Sequence, residues 1–277
     1  MIDLEPRRQE QLKPMLRVAA GCWHAARGFA EHRSLAGYIA ERALDRAGLS
    51  FGRNLPRAIR LGGLELNVRP GSGELSLYQE IFLDRVYERR PAFVPRPDWC
   101  VIDCGANIGM FSLRAARAGC AQVLAIEPDP ETFARLAFNL QRNRATAVTA
   151  LQAAAGRTTG RGAFVRYGVS TLGQLASEER SAARASSEVA VDVMTLADLF
   201  DRFALRSVQL LKLDIEGAEC EALEGARPVL DRIERIVMEF HGAERLAACE
   251  SLLRQYGFAR VALAAPAYAY FARQWTC

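Results

Sequence analysis

The stretch Val101-Ile102-Asp103-Cys104-Gly105-Ala106-Asn107-Ile108-Gly109-Met110-Phe111 decides the fold of this chain. It begins as a short apolar run, turns through two glycines, and continues from Met110 with the pattern of a helix. A strand that turns through glycine into a helix is typical of nucleotide-binding corners. Glycine lets backbone N–H groups approach a ligand, and a helix N-terminus favours polar or negative groups. The stretch therefore predicts a corner that binds part of a nucleotide.

A carboxylate stands where such a corner needs one. Residues 122–126 read as a second strand, and Glu127 ends it, 22 residues after Gly105. A carboxylate in that place can accept both hydroxyl groups of a ribose. The glycines lack the Gly-x-Gly-x-x-Gly spacing of enzymes that bind dinucleotides. The pattern favours an adenosine without phosphates.

Length and composition limit the class of protein. A chain of 277 residues, 50% of them hydrophobic, can hold one large α/β domain with an appendage. The net charge is only +4, and of 36 basic residues only Lys13 and Lys212 are lysines, which leaves 34 arginines. Such a bias reduces the weight of basic clusters as signs of nucleic-acid binding. We expect no nucleic-acid partner.

Cysteine usage and hydropathy indicate the compartment. The cysteines are odd in number, show no C-x-x-C spacing, and sit mostly among apolar residues; they are Cys22, Cys100, Cys104, Cys120, Cys220, Cys249 and Cys277. This favours buried free thiols in a reducing compartment, and no residue argues for a metal. No run of about 18 uncharged apolar residues is present, and the N-terminus lacks the apolar core of a signal peptide. A soluble cytoplasmic protein without a membrane segment is expected.

The first third of the chain predicts an appendage. Residues 9–49 have helical periodicity, and two short apolar runs around Gly62-Gly63 predict a hairpin. Residues 75–86 read as a helix, and three prolines then form an extended linker. We place the boundary near residue 90, which gives a helical N-terminal appendage with a β-hairpin over 1–90 and a core domain over 91–277.

The core domain alternates strands and helices, as in a parallel sheet covered on both faces. A loop of three residues between the last two strands permits only an antiparallel pair. Predicted strands cover 100–104, 122–126, 148–152, 208–214, 235–240, 259–264 and 268–273, and predicted helices cover 110–118, 130–143, 196–203, 218–230 and 243–256. Residues 163–167 and 189–193 could form two more strands. Residues 177–188 predict a mobile loop, either covering a site or merely solvated.

Several motifs together resemble one family. They are the Asp103 to Gly109 corner, Glu127-Pro128, Ser170-Thr-Leu172, Leu211-Lys-Leu-Asp-Ile-Glu-Gly-Ala-Glu219, Leu223-Glu-Gly-Ala226 and Met238-Glu-Phe-His241. In this order they resemble the FkbM family of S-adenosylmethionine-dependent methyltransferases. The resemblance covers about residues 74–260, and the Lys-x-Asp-x-Glu-Gly-Ala-Glu element is its specific part.

The resemblance implies a fold, a cofactor and a reaction. The fold is the Rossmann-like class I methyltransferase fold, a seven-stranded mostly parallel sheet whose last strand is antiparallel. The cofactor is S-adenosyl-L-methionine, and the reaction is O-methylation of a hydroxyl group on a sugar, polyketide or other natural product. By analogy, the methionine end and the ribose edge of the cofactor would contact Asp103, Gly105, Ala106, Asn107 and Gly109. Glu127, with Pro128, would bind the ribose hydroxyls, and the segment around Ala154 would flank the adenine. For Asp103 and Asn107 the alternative is turn stabilisation by their side chains.

Candidate catalytic residues lie at the carboxyl ends of two neighbouring strands, where open α/β sheets bind ligands. They are Lys212, Asp214 and Glu216 on one strand and Glu239 and His241 on the next. Asp214 is also a candidate cofactor contact. Lys212 is either a buried charge paired with Asp214 or Glu239, or a base with a lowered pKa. His241 is either a base or a hydrogen-bonding group, and Glu219 fits the first turn of a helix.

Other functions remain open from the sequence. A similar corner occurs in NAD(P)-dependent oxidoreductases, and a silent binding module would be expected to lack Glu127 or the cluster around Asp214. Carboxylate and peptide O-methyltransferases are further alternatives, and we expect metal independence because no Asp-Asn pair supplies a further ligand. The partner is a small-molecule acceptor, and a homo-oligomer is left open. Five arginines near the predicted loop either meet an anionic substrate or form a solvated face: Arg157, Arg161, Arg166, Arg180 and Arg184.

Overall fold

The computed structural model describes residues 57–69, 74–167, 173–175, 185–262 and 267–273. The helices predicted over 9–49 and the Ser170-Thr-Leu172 motif lie outside these ranges. Within them, no helix combines the length and the apolar character that crossing a bilayer requires. The domain boundary near residue 90 stays a prediction.

The elements follow one another in the predicted alternation. The strands are β1 Arg57–Leu61, β2 Leu64–Val68, β3 Cys100–Cys104, β4 Gln122–Ile126, β5 Val148–Leu151, β6 Ala154–Ala155, β7 Gly160–Tyr167, β8 Gly173–Leu175, β9 Ala185–Met194, β10 Leu210–Leu213, β11 Arg235–Glu239, β12 Phe258–Arg260 and β13 Tyr268–Arg273. The α-helices are α1 Glu74–Tyr78, α2 Met110–Arg117, α3 Pro130–Arg142, α4 Leu196–Arg202, α5 Glu219–Gly225 and α6 Ala243–Gln255.

Seven of these strands form the main sheet, in the order β12-β13-β11-β10-β3-β4-β5. The neighbours from β11 to β5 are parallel, and β13 pairs antiparallel with both β11 and β12. The predicted fold class, including the reversed last strand, is confirmed. The reversed strand lies inside the sheet, between β11 and β12, instead of at its edge.

Two predicted helices differ from the observed ones. The helix predicted over 75–86 consists of α1 followed by a π-helical turn, Gln79–Leu83. The helix predicted over 218–230 stops at Gly225 and continues as a 3-10 segment, Arg227–Arg232. Pro228 lies in that segment and has no N–H to continue an α-helical hydrogen-bond ladder.

Apolar residues cover both faces of the main sheet because successive strand residues point to opposite faces. On β10, Leu211 and Leu213 pack with α4, α5 and α6, whereas Leu210 packs with α2 and α3. The β1–β2 hairpin, confirmed around Gly62-Gly63, packs on the second face through Leu66 and its neighbours. The hairpin therefore shares a core with the sheet.

A four-stranded sheet of order β6-β9-β7-β8 lies outside the main sheet. β7 and β9 pair antiparallel from Gly160 opposite Val193 to Tyr167 opposite Ala185. Residues 185–188 therefore belong to β9, and their assignment to a mobile loop is wrong. The sequence of residues 185–188 has no apolar pattern, and backbone pairing with β7 holds the strand there. Residues 177–184 of the predicted loop lie outside the described residues.

The cysteines in the described ranges are free thiols, as predicted. Cys104, Cys120 and Cys249 are buried, and Cys100 and Cys220 are partly buried. Burial raises the pKa of Cys100 and Cys120 to about 11, which keeps them protonated and unreactive.

Candidate functional site

A cavity of about 500 Å³ opens at the carboxyl ends of β3, β4, β10 and β11. This is where parallel α/β sheets bind ligands, and the volume lies in the range of about 300–1,000 Å³ usual for small-molecule sites. The corner after β3 and the residues after β4 form its floor. The other walls come from α1 with its π-helical turn (Ser76, Leu77, Glu80, Ile81), from Tyr87, and from β7 (Phe164, Arg166).

Gly105 lets two loops approach each other closely at this cavity. Its φ is +73°, and a Cβ on it would lie 1.8 Å from the backbone oxygen of Asp214. That oxygen belongs to the chain after β10 and cannot move aside as a side chain could. No residue with a side chain fits here. Gly109 also has a positive φ, +90°, but a Cβ there would meet side chains, those of Leu136 and Leu140.

The amide groups of the corner donate hydrogen bonds within the protein. Gly105 and Ala106 both donate to the Ile126 oxygen, at 3.0 and 2.9 Å, and Gly109 donates to the Ala106 oxygen at 2.8 Å. Asn107 N–H binds the Glu127 carboxylate, and Ile108 N–H binds the Asn107 side chain. The amides donate within the protein because the corner wraps around the end of β4, and their approach to a ligand stays a prediction. With all five amides engaged, the corner is a poor pyrophosphate site, in agreement with the missing glycine spacing.

Glu127 is held by backbone donors at the end of β4. Its carboxylate accepts the N–H of Asn107 and the N–H of Asp129, both at 2.9 Å. Its exposed fraction is only 6%, yet it lines the cavity. Burial raises the pKa of Glu127 from 4.5 to about 7, although the two backbone hydrogen bonds act in the opposite direction. A buried carboxylate with spare acceptor capacity fits a pair of ribose hydroxyls.

Lys212 lies beneath the corner and joins it to β10. Its ammonium is 3.0 Å from the Asp103 carboxylate, 3.6 Å from that of Asp214, and donates to the Gly105 oxygen at 2.8 Å. Burial opposes the charge, but the Asp103 and Asp214 carboxylates raise the pKa of Lys212 above its ordinary value. This direction is the opposite of what a general base needs, so the geometry favours the ion pair. Its nearest partner is Asp103, which the sequence did not suggest.

Asp103 and Gly109 lie behind the cavity wall. Asp103 is fully buried, and its second oxygen accepts the Ser112 hydroxyl at 2.7 Å. Neither residue is among those that line the cavity. Direct contact with a cofactor stays a prediction for both, while the observed contacts give Asp103 a supporting position under the corner.

Asp214, Glu239 and Tyr87 form the end of the cavity opposite Glu127. The Tyr87 hydroxyl donates to Asp214 at 2.7 Å, and burial raises the pKa of this phenol, which keeps it a donor. Tyr87 also packs edge-on against Phe111 and Tyr268, at 5.4 Å between ring centres in both cases. Burial and the nearby Asp214 charge raise the pKa of Glu239 from 4.5 to about 8.

His241 lies just beyond this end, between two carboxylates. Its Nε2 atom is 3.2 Å from Glu216, and its Nδ1 atom is 3.6 Å from Glu219. These contacts raise the pKa of His241 from 6.5 to about 10, so the imidazole is protonated at neutral pH. His241 is also not among the residues that line the cavity. An imidazolium in this position cannot accept a proton, and the geometry favours the alternative of a hydrogen-bonding group.

At the opposite end, β7 reaches over the residues that follow β4. The Arg166 guanidinium binds Asp129 with two nitrogens and lies 3.3 Å from Glu131. Asp129 in turn caps α3 by accepting the Thr132 N–H. Arg166 is therefore part of the cavity wall, and the solvated face favoured for the arginine cluster does not apply to it. Arg161 is exposed and pairs with Asp192, as a solvated arginine would.

The structure brings most predicted site residues to one cavity. Its lining includes Gly105, Ala106, Asn107, Glu127, Pro128, Ala154, Lys212, Asp214, Glu216 and Glu239. Sequence reasoning missed Tyr87 and the wall formed by the π-helical turn, and it left Arg166 open between a contact to an anionic substrate and a solvated face. Tyr87 carried no signal, because it comes directly after a predicted helix and is 127 positions from its partner. Within the described ranges, no group of three or more His, Cys, Asp or Glu residues is placed to hold a metal ion.

Comparisons with known proteins agree with this geometry. Residues 103–259 match the family model described as the methyltransferase FkbM domain. "Methyltransferase 1" of Beauveria bassiana is 34% identical over 212 residues, which cover 70% of this chain and 84% of that protein. "31-O-demethyl-FK506 methyltransferase FkbM" of Streptomyces tacrolimicus is 31% identical, covering 75% and 90%. "Hexuronic acid methyltransferase AglP" of Haloferax volcanii is 27% identical, covering 50% and 54%.

Proposed function

The chain belongs to the FkbM family of S-adenosylmethionine-dependent methyltransferases, as its motifs predict, and we propose that it methylates a hydroxyl oxygen of an uncharged small molecule. The observation that carries the proposal is one cavity with two chemically different ends. One end has a buried carboxylate, Glu127, that can accept hydrogen bonds from ribose hydroxyls, and the other end has a group of carboxylates.

The Glu127 end fits the adenosine of the cofactor. Glu127 would accept the ribose hydroxyls, and the apolar segment around Ala154 would lie against the adenine. Asn107 and Gly105 would face the remainder of the cofactor from the corner. No phosphate has to be bound, which agrees with a corner whose amides are engaged within the protein.

The other end favours a hydroxyl acceptor over a carboxylate. Four acidic side chains line it: Glu80, Asp214, Glu216 and Glu239. An acceptor with its own negative charge would be repelled by them in a partly desolvated cavity. A hexuronic acid, for which the Haloferax relative is named, carries such a charge at neutral pH. A neutral sugar or macrolide hydroxyl meets no such repulsion and can donate hydrogen bonds to the carboxylates.

Methyl transfer from a sulfonium is a direct displacement, and S-adenosylmethionine supplies that activated methyl group when bound. The protein's task is to align the acceptor oxygen, which can account for several kcal/mol of the barrier. The π-helical turn and Tyr87 are placed to position the acceptor, because they line the same end as Asp214. A hydroxyl is a poor nucleophile, so a group that takes its proton would accelerate the reaction.

Calorimetric titration with S-adenosylmethionine, S-adenosylhomocysteine and NADH tests the cofactor. We expect binding of the two sulfur compounds, none of NADH, weakening in Glu127→Gln, and wild-type behaviour in the exposed control Glu188→Gln. Transfer of a labelled methyl group is then compared between neutral sugars, 31-O-demethyl-FK506 and a hexuronic acid. Methylation of the hexuronic acid carboxylate in preference to every neutral acceptor would contradict the proposal. Binding of NADH but of neither sulfur compound would contradict the cofactor.

A further inference from the structure

Glu239 and Asp214 lie side by side at the acceptor end of the cavity. β10 and β11 are parallel, with Leu213 opposite Met238, so the next residue of each strand also stands at the same level. Adjacent strands are about 4.8 Å apart. Asp214 and Glu239 therefore present two carboxylates to one small volume, and both line the cavity.

The two carboxylates have different surroundings. Asp214 accepts the Tyr87 hydroxyl at 2.7 Å and lies 3.6 Å from the Lys212 ammonium, so its carboxylate has two partners within the protein. For Glu239, the described part of the chain provides no hydrogen bond and no ion pair. Its carboxylate is half-buried and directed at the space that an acceptor would fill.

The groups that face Glu239 come from every neighbouring element. Glu80 of the π-helical turn, Asp214 after β10 and Glu216 beyond it are acidic, and Tyr268 stands opposite Glu239 on β13. His241 acts in the other direction. Burial and these charges raise the pKa of Glu239 to about 8. A carboxylic acid whose pKa is raised by burial and by neighbouring charges is a usual participant in acid–base catalysis.

We propose that Glu239 is the general base of the methyl transfer, which rests on the proposed function. Its carboxylate accepts the proton of the acceptor hydroxyl as that oxygen bonds to the methyl carbon. The methyl–sulfur bond breaks, and its electron pair stays on sulfur, which becomes the neutral thioether of S-adenosylhomocysteine. The proton on Glu239 then returns to solvent. Asp214 takes no proton in this step and remains bound to the Tyr87 hydroxyl and the Lys212 ammonium.

A base with a pKa near 8 suits this role better than the other candidates. A carboxylate with an ordinary pKa is a weak base for an alcohol proton. A carboxylate whose pKa is near the working pH is a stronger base, and a sufficient fraction of it is still ionised. Lys212 is committed to Asp103 and to the Gly105 oxygen, and His241 is paired with Glu216. Among the described side chains proposed for catalysis, Glu239 therefore has the geometry of a proton acceptor.

The first test needs no acceptor. Carbon NMR of protein labelled at the glutamate carboxyl carbon, compared with Glu239→Gln, identifies the Glu239 signal and its titration. We expect a Glu239 midpoint near 8, well above the ordinary value of 4.5 for a glutamate, and the Glu188→Gln variant shows that the assignment by substitution is specific. An ordinary midpoint for Glu239 would overturn the proposal.

The second test separates proton removal from positioning. Labelled S-adenosylmethionine is incubated with wild type and Glu239→Gln in the presence of glycerol, a hydroxyl probe, or iodide, a nucleophile that carries no proton. We expect the variant to lose at least about 100-fold in transfer to glycerol and to lose no rate with iodide, because the substitution can only reduce the repulsion of this anion by the carboxylates. Equal losses with both probes, or no loss with glycerol, would overturn the role of Glu239.

Calorimetry with S-adenosylhomocysteine distinguishes this proposal from the one it rests on. Glu239→Gln is expected to bind the compound, because the ribose site at Glu127 is unchanged. A wild-type protein that binds neither sulfur compound would overturn the proposed function itself. Binding by the wild type, combined with an ordinary Glu239 midpoint, would overturn the general base alone.

Discussion

Replacement of Glu127 by glutamine should weaken cofactor binding and at the same time remove a source of pH-dependent instability. The carboxyl is buried, and its pKa is about 7 in the folded protein, compared with 4.5 when exposed. Between these values the folded state holds a proton that the unfolded chain has lost, so stability falls as the pH rises through this window. At about 1.4 kcal/mol per pH unit, the full effect is about 3 kcal/mol, of which about 2.5 kcal/mol falls between pH 5 and pH 8.

Glutamine has no proton to lose in this range and keeps an oxygen that can accept one of the two backbone N–H groups. The measurement is urea unfolding of wild type and Glu127→Gln at pH 5 and pH 8. The fall in unfolding free energy over this interval should be about 2.5 kcal/mol larger for wild type, whatever constant offset the substitution adds. Other titrating groups cancel in this double difference.

The same variant should bind S-adenosylmethionine about 10- to 100-fold more weakly, because a hydrogen bond to a charged group contributes about 1.5–3 kcal/mol. The exposed control Glu188→Gln should change neither quantity. Identical pH dependence of unfolding in wild type and Glu127→Gln would refute the reasoning that burial destabilises this carboxylate. Unchanged affinity for the cofactor would refute its role in holding the ribose.

Further predictions concern the corner and its supports. Gly105→Ala should abolish soluble expression or cofactor binding, since its Cβ would overlap a backbone oxygen, whereas Gly160→Ala, where a Cβ meets nothing within 4 Å, should leave the melting temperature almost unchanged. Lys212→Met should lower the unfolding free energy in urea by about 3–5 kcal/mol, and adding Asp103→Asn should recover part of this loss because no buried charge then lacks a partner. His241 has a pKa raised from 6.5 to about 10, so its stabilising contribution is complete below pH 6.5 and is lost as the pH rises through 10; His241→Gln should flatten the melting temperature between pH 7 and pH 10.5. Methyl transfer should persist in excess chelator, and its loss there would show that a metal ion takes part.

The sequence predicted the sheet well because its strands are buried on both faces and therefore read as apolar runs. The bounds of β3, β4 and β13 agree with the prediction. The end of the cavity at Gly105 and Glu127 could also be predicted, since both residues occupy positions that the strand–turn–helix geometry dictates. These parts of the site depend on local chain geometry, which can be predicted from the pattern of residues in the sequence.

The acceptor end could not be predicted in the same way. Tyr87 reaches Asp214 across 127 residues, and no periodicity records that contact. Lys212 was recognised as unusual, but its partner Asp103 follows from side-chain directions on two adjacent strands. The charge state of His241 depends on two carboxylates that the chain brings together only on folding. The contact of Tyr87, the partner of Lys212 and the charge state of His241 all depend on packing between residues that are distant in the sequence.

The contact between Gly105 and the backbone of Asp214 has a consequence for how such an enzyme can diversify. The backbone of the corner at Gly105 packs directly against the backbone of Asp214, and Lys212 of β10 donates a hydrogen bond to the Gly105 oxygen. In evolution, the corner and the end of β10 are therefore expected to change together and not independently. Mutational tolerance is therefore expected in the walls that only side chains supply, the π-helical turn Gln79–Leu83 and β7. A library of variants selected for new acceptors should accumulate substitutions there and leave the corner untouched.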